Sequence, residues 1–145
     1  MKRLLSCLLM LSLLACDSER TNRNPFLQEV SFRFDINLNL PLYSPLATTG
    51  NAVYIGAQGV GTRGVFVLNS GNGQFLAWEA SCPNHAPNDC STMQLNSPVV
   101  TCSCEDYSYN LFNGQQQNRP DDGQRYYDLL FYRASQSGNV VVISN

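Results

Sequence analysis

Four cysteines, Cys82, Cys90, Cys102 and Cys104, fall within 23 residues of a 145-residue chain. No other feature limits the fold as tightly, because sulfurs this concentrated end as disulfides, as metal ligands or as buried thiols, and the compartment decides which. The start of the chain speaks to the compartment. Lys2 and Arg3 precede a leucine-rich run from Leu4 to Leu14, followed by Ala15 and Cys16, which is the pattern of an export signal. About twelve apolar residues at about 1.5 Å each make a helix of ~18 Å, well short of the ~30 Å hydrocarbon core, so a permanent span is not expected.

Leu13-Leu14-Ala15-Cys16 resembles the bacterial lipobox. The resemblance implies that residues 1–15 are removed and that the Cys16 sulfur carries a lipid, making the membrane a partner and the envelope of a bacterial cell the location. Cys7 then leaves with the signal, and the other four cysteines face a space where thiols usually oxidise. Residues 16–29 are polar, contain Asn24-Pro25 and read as a flexible tether, about twelve residues of which could reach roughly 40 Å when extended. The formal net charge is -2, and Lys2 is the single lysine, so a phosphate backbone has little to bind and nucleic acid is not an expected partner.

Residues 30–145 have the length of one domain. Phe32, Phe34, Ile36, Leu38 and Leu40 alternate with Arg33, Asp35, Asn37 and Asn39, a period of two that predicts a strand with one buried face. Further strands are predicted at 52–55, 64–68, 75–79, 99–102, 109–112, 127–133 and 140–144. Gly- and Asn-rich turns separate them, such as Asn69-Ser70-Gly71-Asn72-Gly73 and Ser137-Gly138-Asn139. Short strands without a long helical period predict an all-β domain, an antiparallel sandwich or small barrel. The run Leu38 to Leu46, interrupted by Pro41 and Pro45, reads as an edge strand leaving the sheet.

The cysteines sit in two loops that follow predicted strands. A Cys-x-Cys at a strand end turns both sulfurs to one side, so Cys102 and Cys104 each face a partner in the first loop. Spacing alone leaves both crossed pairings open, as it does a four-thiolate zinc or iron–sulfur site and a reducible thiol–disulfide pair. His85 near Cys82 would suit an activated thiol, and Glu105-Asp106 a paired acid and base or, with Asp89, a cation site. The plainer reading of these is solvated loop residues. Trp78 reads as core.

Trp78-Glu79-Ala80-Ser81-Cys82-Pro83-Asn84-His85 and Cys102-Ser103-Cys104-Glu105-Asp106-Tyr107-Ser108-Tyr109, closing at Gly114, resemble the two loops of the Rieske iron–sulfur family. In that family two Cys hold one iron of a [2Fe-2S] cluster and two His hold the other. The resemblance places Cys82 and Cys102 at the cluster cysteines, Cys90 and Cys104 at the extra pair that some members join as a disulfide, and Pro120 in the proline loop. Asn84 stands where the first His belongs, with His85 one place late, and Glu105 stands where the second belongs. His85 is the single histidine, so two imidazole ligands cannot come from one chain.

The resemblance thus implies a Rieske-like β domain at 30–145, with a two-loop subdomain at about 78–120 and no cofactor. It implies disulfides Cys90–Cys104 and Cys82–Cys102, and a non-catalytic binding or structural role in the envelope. A protein partner would dock on the tip formed by 83–89 and 105–107. The alternative is a [2Fe-2S] electron carrier with atypical ligands drawn from Cys82, Cys102, His85 and Glu105.

Overall fold

A computed structural model describes residues 23–145. The expected signal at 1–15 and the expected lipidation at Cys16 lie outside the described residues. The described residues form nine strands: β1 Arg33–Asn37, β2 Ala52–Ile55, β3 Val65–Gly71, β4 Gln74–Glu79, β5 Gln94–Asn96, β6 Val99–Thr101, β7 Ser108–Asn110, β8 Phe131–Ser137 and β9 Val140–Ser144. They make two antiparallel sheets, one of six strands in the order β1-β9-β8-β4-β3-β2 and one of three in the order β5-β6-β7. The fold is all-β and antiparallel throughout. Among the described residues no helix is long and apolar enough to cross a membrane.

The β3–β4 hairpin is the wall shared by the two halves. Val65, Phe66, Val67 and Leu68 are all buried, and their alternation sends them to opposite sides. Val65 and Val67 join Ile36, Tyr132, Val141 and Ile143 inside the large sheet. Phe66 and Leu68 join Trp78, Val100, Tyr109, Leu111 and the cysteines Cys82 and Cys102 on the other side. At about 1.5–3 kcal/mol for each fully buried large apolar side chain, this hairpin contributes to both cores at once. Its turn, at Asn72 (φ 54°) and Gly73 (φ 72°), has the paired positive φ of a tight hairpin.

Three expectations are corrected. The segment after β1 is not an edge strand: Pro41–Ala47 forms a 3-10 helix that buries Tyr43 and Leu46. Pro41 supplies a helical φ at the first position, and a period of three puts Tyr43 and Leu46 on one side. The β1 alternation stops at Asn37, whose side-chain oxygen accepts the Asn39 N–H at 3.0 Å and turns the chain. The strand expected at 127–133 begins at Phe131 instead, because the backbone of 127–129 is engaged by loops: Tyr127 N–H donates to the Asn84 side-chain oxygen at 2.7 Å and Leu129 N–H to Gly114 O at 2.9 Å, and only Leu130 O meets a strand, accepting from Glu79 N–H at 2.9 Å. Strand β5 carries one apolar residue, Leu95, and gave no pattern to read.

Glu79 ends β4 fully buried. Its carboxylate accepts from Thr62 N–H (2.7 Å), Arg63 N–H (2.9 Å), Ser81 N–H (2.9 Å) and Tyr132 O–H (2.7 Å). Four donors replace its hydration, so the charge ties a glycine-rich loop and β8 to the strand that leads into the first cysteine loop. Burial, then the neighbouring Glu79, pushes the Tyr132 phenol up.

Candidate functional site

The first cysteine loop runs from β4 to β5 and the second joins β6 to β7. The second is a tight turn in which Asp106 N–H donates to Cys102 O (2.9 Å) and Cys102 N–H to Tyr107 O (2.8 Å), with Asp106 at φ 58°. A short polar side chain tolerates that left-handed backbone. The first loop returns through an isolated bridge between Ser81 and Thr92. Its far end is organised by Asn88, whose side-chain oxygen accepts from Cys90 N–H (3.0 Å) and whose carbonyl takes a 2.7 Å bond from Arg63.

Cys82 is bonded to Cys102 and Cys90 to Cys104. The two bridges differ in surroundings: Cys82 and Cys102 are fully buried in the apolar cluster with Trp78, Tyr109 and Leu111, whereas Cys90 is exposed. His85 and Glu105 close over the inner bridge. His85 Nε2 lies 3.6 Å from Cys102 Sγ and 3.4 Å from Glu105 Oε1, and Glu105 Oε2 lies 2.9 Å from the same sulfur. The Ala86 carbonyl, 2.8 Å from His85 Nδ1, can only accept, so Nδ1 carries the proton and Nε2 faces the sulfur and the carboxylate. Ligand atoms of Cys82, His85, Cys102, Cys104 and Glu105 all lie within 4.8 Å of one another.

Asn84 does not face this group. Its amide donates to Tyr109 O–H (2.8 Å) and Tyr127 O (3.1 Å) and accepts from Tyr127 N–H (2.7 Å). It pairs with the backbone of the 119–128 loop as a strand would, an arrangement an imidazole at this position could not reproduce in full. Tyr109 is buried and its phenol is pushed up, by burial first and the Glu105 charge second, against the lowering effect of Asn84. Tyr107 meets Tyr126 edge to face, centroids 5.5 Å apart. Trp78 is buried and donates its indole N–H to Leu111 O at 2.8 Å. Gly114 lies directly beneath it: a Cβ there would come within 2.5 Å of the indole, and its φ is +73°. Of the stretch expected as a tether, the described residues 23–29 lie against the domain, with Leu27 buried, Asn24 donating to Pro83 O at 2.7 Å and Phe26 edge-on to Tyr127.

The structure therefore brings Cys82, His85, Cys102 and Glu105 together, leaves Asp106 and Asp89 outside the group and turns Asn84 away. Glu79, Asn84 and Asn88 carry the polar framework, and none was singled out for that role by spacing. Asn84 alone had a signal, as the residue standing at an expected ligand position. A [2Fe-2S] centre requires two thiolates on one iron and two further donors on the other. Here both sulfurs are spent on each other, so the residues as folded do not fit that centre.

No family model and no curated protein matches the chain. Among solved structures it is similar to a chain of the complex of reduced oxygenase and oxidised ferredoxin in carbazole 1,9a-dioxygenase, with a TM-score of 0.49 and 16% identity over 81% of this chain and 94% of that one. It is also similar to a chain of the reduced complex between oxygenase and ferredoxin of the same system, with a TM-score of 0.48 and 12% identity. In that second likeness it spans 28% of the neighbour's length.

Proposed function

We propose that this chain is a Rieske-like domain whose cluster position has been converted to a structural disulfide, and that it serves as a non-catalytic recognition module held at a cell-envelope membrane by a lipid on Cys16. The observation that carries the reading is the dry Cys82–Cys102 bridge, which occupies the sulfurs that the family uses for iron. The use of Asn84 as a backbone cross-link supports it, because the first histidine position now serves folding. The recognition surface is the tip at 83–89 and 105–107, where a protein partner of the envelope would dock. That last step rests on fold-level analogy.

The test is direct. Protein purified without air is examined by visible absorption, electron paramagnetic resonance, iron content and free-thiol count. The reading expects a colourless protein without iron and without free thiols. A coloured protein with about two irons per chain and a cluster signal on reduction overturns it and establishes the electron carrier with atypical ligands.

A further inference from the structure

We propose that reduction of the Cys82–Cys102 disulfide turns this site into a mononuclear zinc site with Cys82, Cys102, His85 and Glu105 as ligands. The inference rests on the reading of that pair as a disulfide rather than as cluster ligands. Zn–S bonds of about 2.3 Å and Zn–N and Zn–O bonds of about 2.1 Å set tetrahedral S···N and N···O separations of about 3.6 and 3.4 Å. The observed His85 Nε2 to Cys102 Sγ and His85 Nε2 to Glu105 Oε1 distances are 3.6 and 3.4 Å. Two edges of the ligand tetrahedron are thus already set, whereas Glu105 Oε2, 2.9 Å from Cys102 Sγ, must draw back toward the about 3.6 Å of a sulfur–oxygen edge as the metal enters.

A second observation points the same way. Metal-binding histidines ordinarily hold their other ring nitrogen on a carbonyl or carboxylate, which fixes the tautomer and aims the lone pair. His85 does this already through Nδ1 and Ala86 O at 2.8 Å. The missing change is at sulfur, where two thiolates sharing one zinc sit about 3.8 Å apart and cannot remain bonded. His85 and Glu105, with side chains 17% and 29% exposed, are the solvent side of the site, and the cysteines are its buried floor.

The chemistry balances with a dithiol as reductant. Two electrons and two protons pass to the bridge, its S–S bond breaks, Cys82 and Cys102 become thiols, and the dithiol closes to its own disulfide. Zn²⁺ then displaces both thiol protons to solvent, and the His85 Nε2 lone pair and a Glu105 carboxylate oxygen complete the coordination. Cys104, the fifth member of the group, becomes a competing ligand if the exposed bridge is also reduced, so the test must remove it.

Purified protein is reduced with a phosphine, freed of it under argon and titrated with Co²⁺, whose thiolate charge-transfer and tetrahedral ligand-field bands report the site, followed by Zn²⁺ as competitor. One Co²⁺ per reduced chain, none per oxidised chain, and displacement by Zn²⁺ are expected, with full retention in the double variant Cys90→Ser/Cys104→Ser. His85→Ala should weaken binding by on the order of a hundredfold and Glu105→Gln by on the order of tenfold, and circular dichroism checks that both fold. Absence of uptake by the reduced chain, indifference to both His85→Ala and Glu105→Gln, or loss of uptake in the Cys90→Ser/Cys104→Ser variant overturns the proposal. Iron found in the protein as isolated would instead overturn the disulfide reading of the pair, so the two failures are separable.

Discussion

The six-stranded sheet and the two-loop region are both dry inside, but they are held by different means. In the sheet, Ile36, Val65, Val67, Val141 and Ile143 are fully buried along strands five to seven residues long, so apolar burial and ladder hydrogen bonds act together. In the loop region the strands are three residues long. Two disulfides, Asn84 and Asn88 do the work that longer ladders do elsewhere. A region with short strands and long connections cannot bury enough surface to offset its own ordering entropy, and cross-links lower the entropy it must lose. The lesson is that one domain can be stable for two reasons, and that each reason has its own weakness.

The two regions are most vulnerable where they join. Glu79→Ala leaves four donors, including the Tyr132 hydroxyl, without their acceptor in a buried place, and should destabilise both regions together by roughly 4 kcal/mol. Urea unfolding followed by the fluorescence of Trp78, the single tryptophan, measures it. A loss below about 1 kcal/mol would mean that the two halves are not joined through this carboxylate.

Removal of the inner bridge separates the regions. Cys82→Ala/Cys102→Ala opens a loop with a sequence separation of 20 and should cost about 3 kcal/mol on the chain-entropy model. Hydrogen exchange should show amide protection falling across 80–110 while β1, β8 and β9 keep theirs. Equal loss in both regions would mean that the bridge supports the sheet as much as the loops.

Asn84→Ala tests the polar framework without touching sulfur. Three hydrogen bonds are lost, two of them to Tyr127 backbone, for an expected cost of about 2 kcal/mol. The 119–128 loop should exchange faster, with the large sheet unaffected.

The smallest effect is Tyr132→Phe, which withdraws one of four donors from Glu79 for about 1 kcal/mol. It carries a pH signature. Because burial and then Glu79 raise the folded phenol above its ordinary value of 10.0, the native state holds that proton after the unfolded chain has lost it. The associated stability is present in full below pH 10 and declines as pH rises toward the folded value. Urea midpoints above pH 10 should therefore fall more steeply for the wild-type chain than for Tyr132→Phe.

Much of the architecture was legible because strands announce themselves by alternation. The segments 52–55 and 140–144 were read with the observed bounds, and the Ser137-Gly138-Asn139 turn lies at the β8–β9 connection. Where apolar spacing fits more than one period, reading failed: Tyr43 and Leu46, three apart, belong to a 3-10 helix. The strand at 127–133 differs for another reason, since Tyr127 and Leu129 spend their N–H groups on loop partners, the Asn84 side chain and the Gly114 carbonyl, rather than on a neighbouring strand.

By itself the sequence determined an antiparallel all-β chain with four cysteines crowded into two loops and one histidine to serve them. Those are matters of composition, period and count, which local chemistry fixes. Only the tertiary structure decided that Asn84 faces Tyr127 rather than the sulfurs, that Glu79 gathers four donors, and that His85 and Glu105 close over Cys102. Each of these joins residues that are distant along the chain or turns a side chain one way at a loop, and loop direction is set by long-range packing, here around Trp78 and Gly114, rather than by neighbours in sequence.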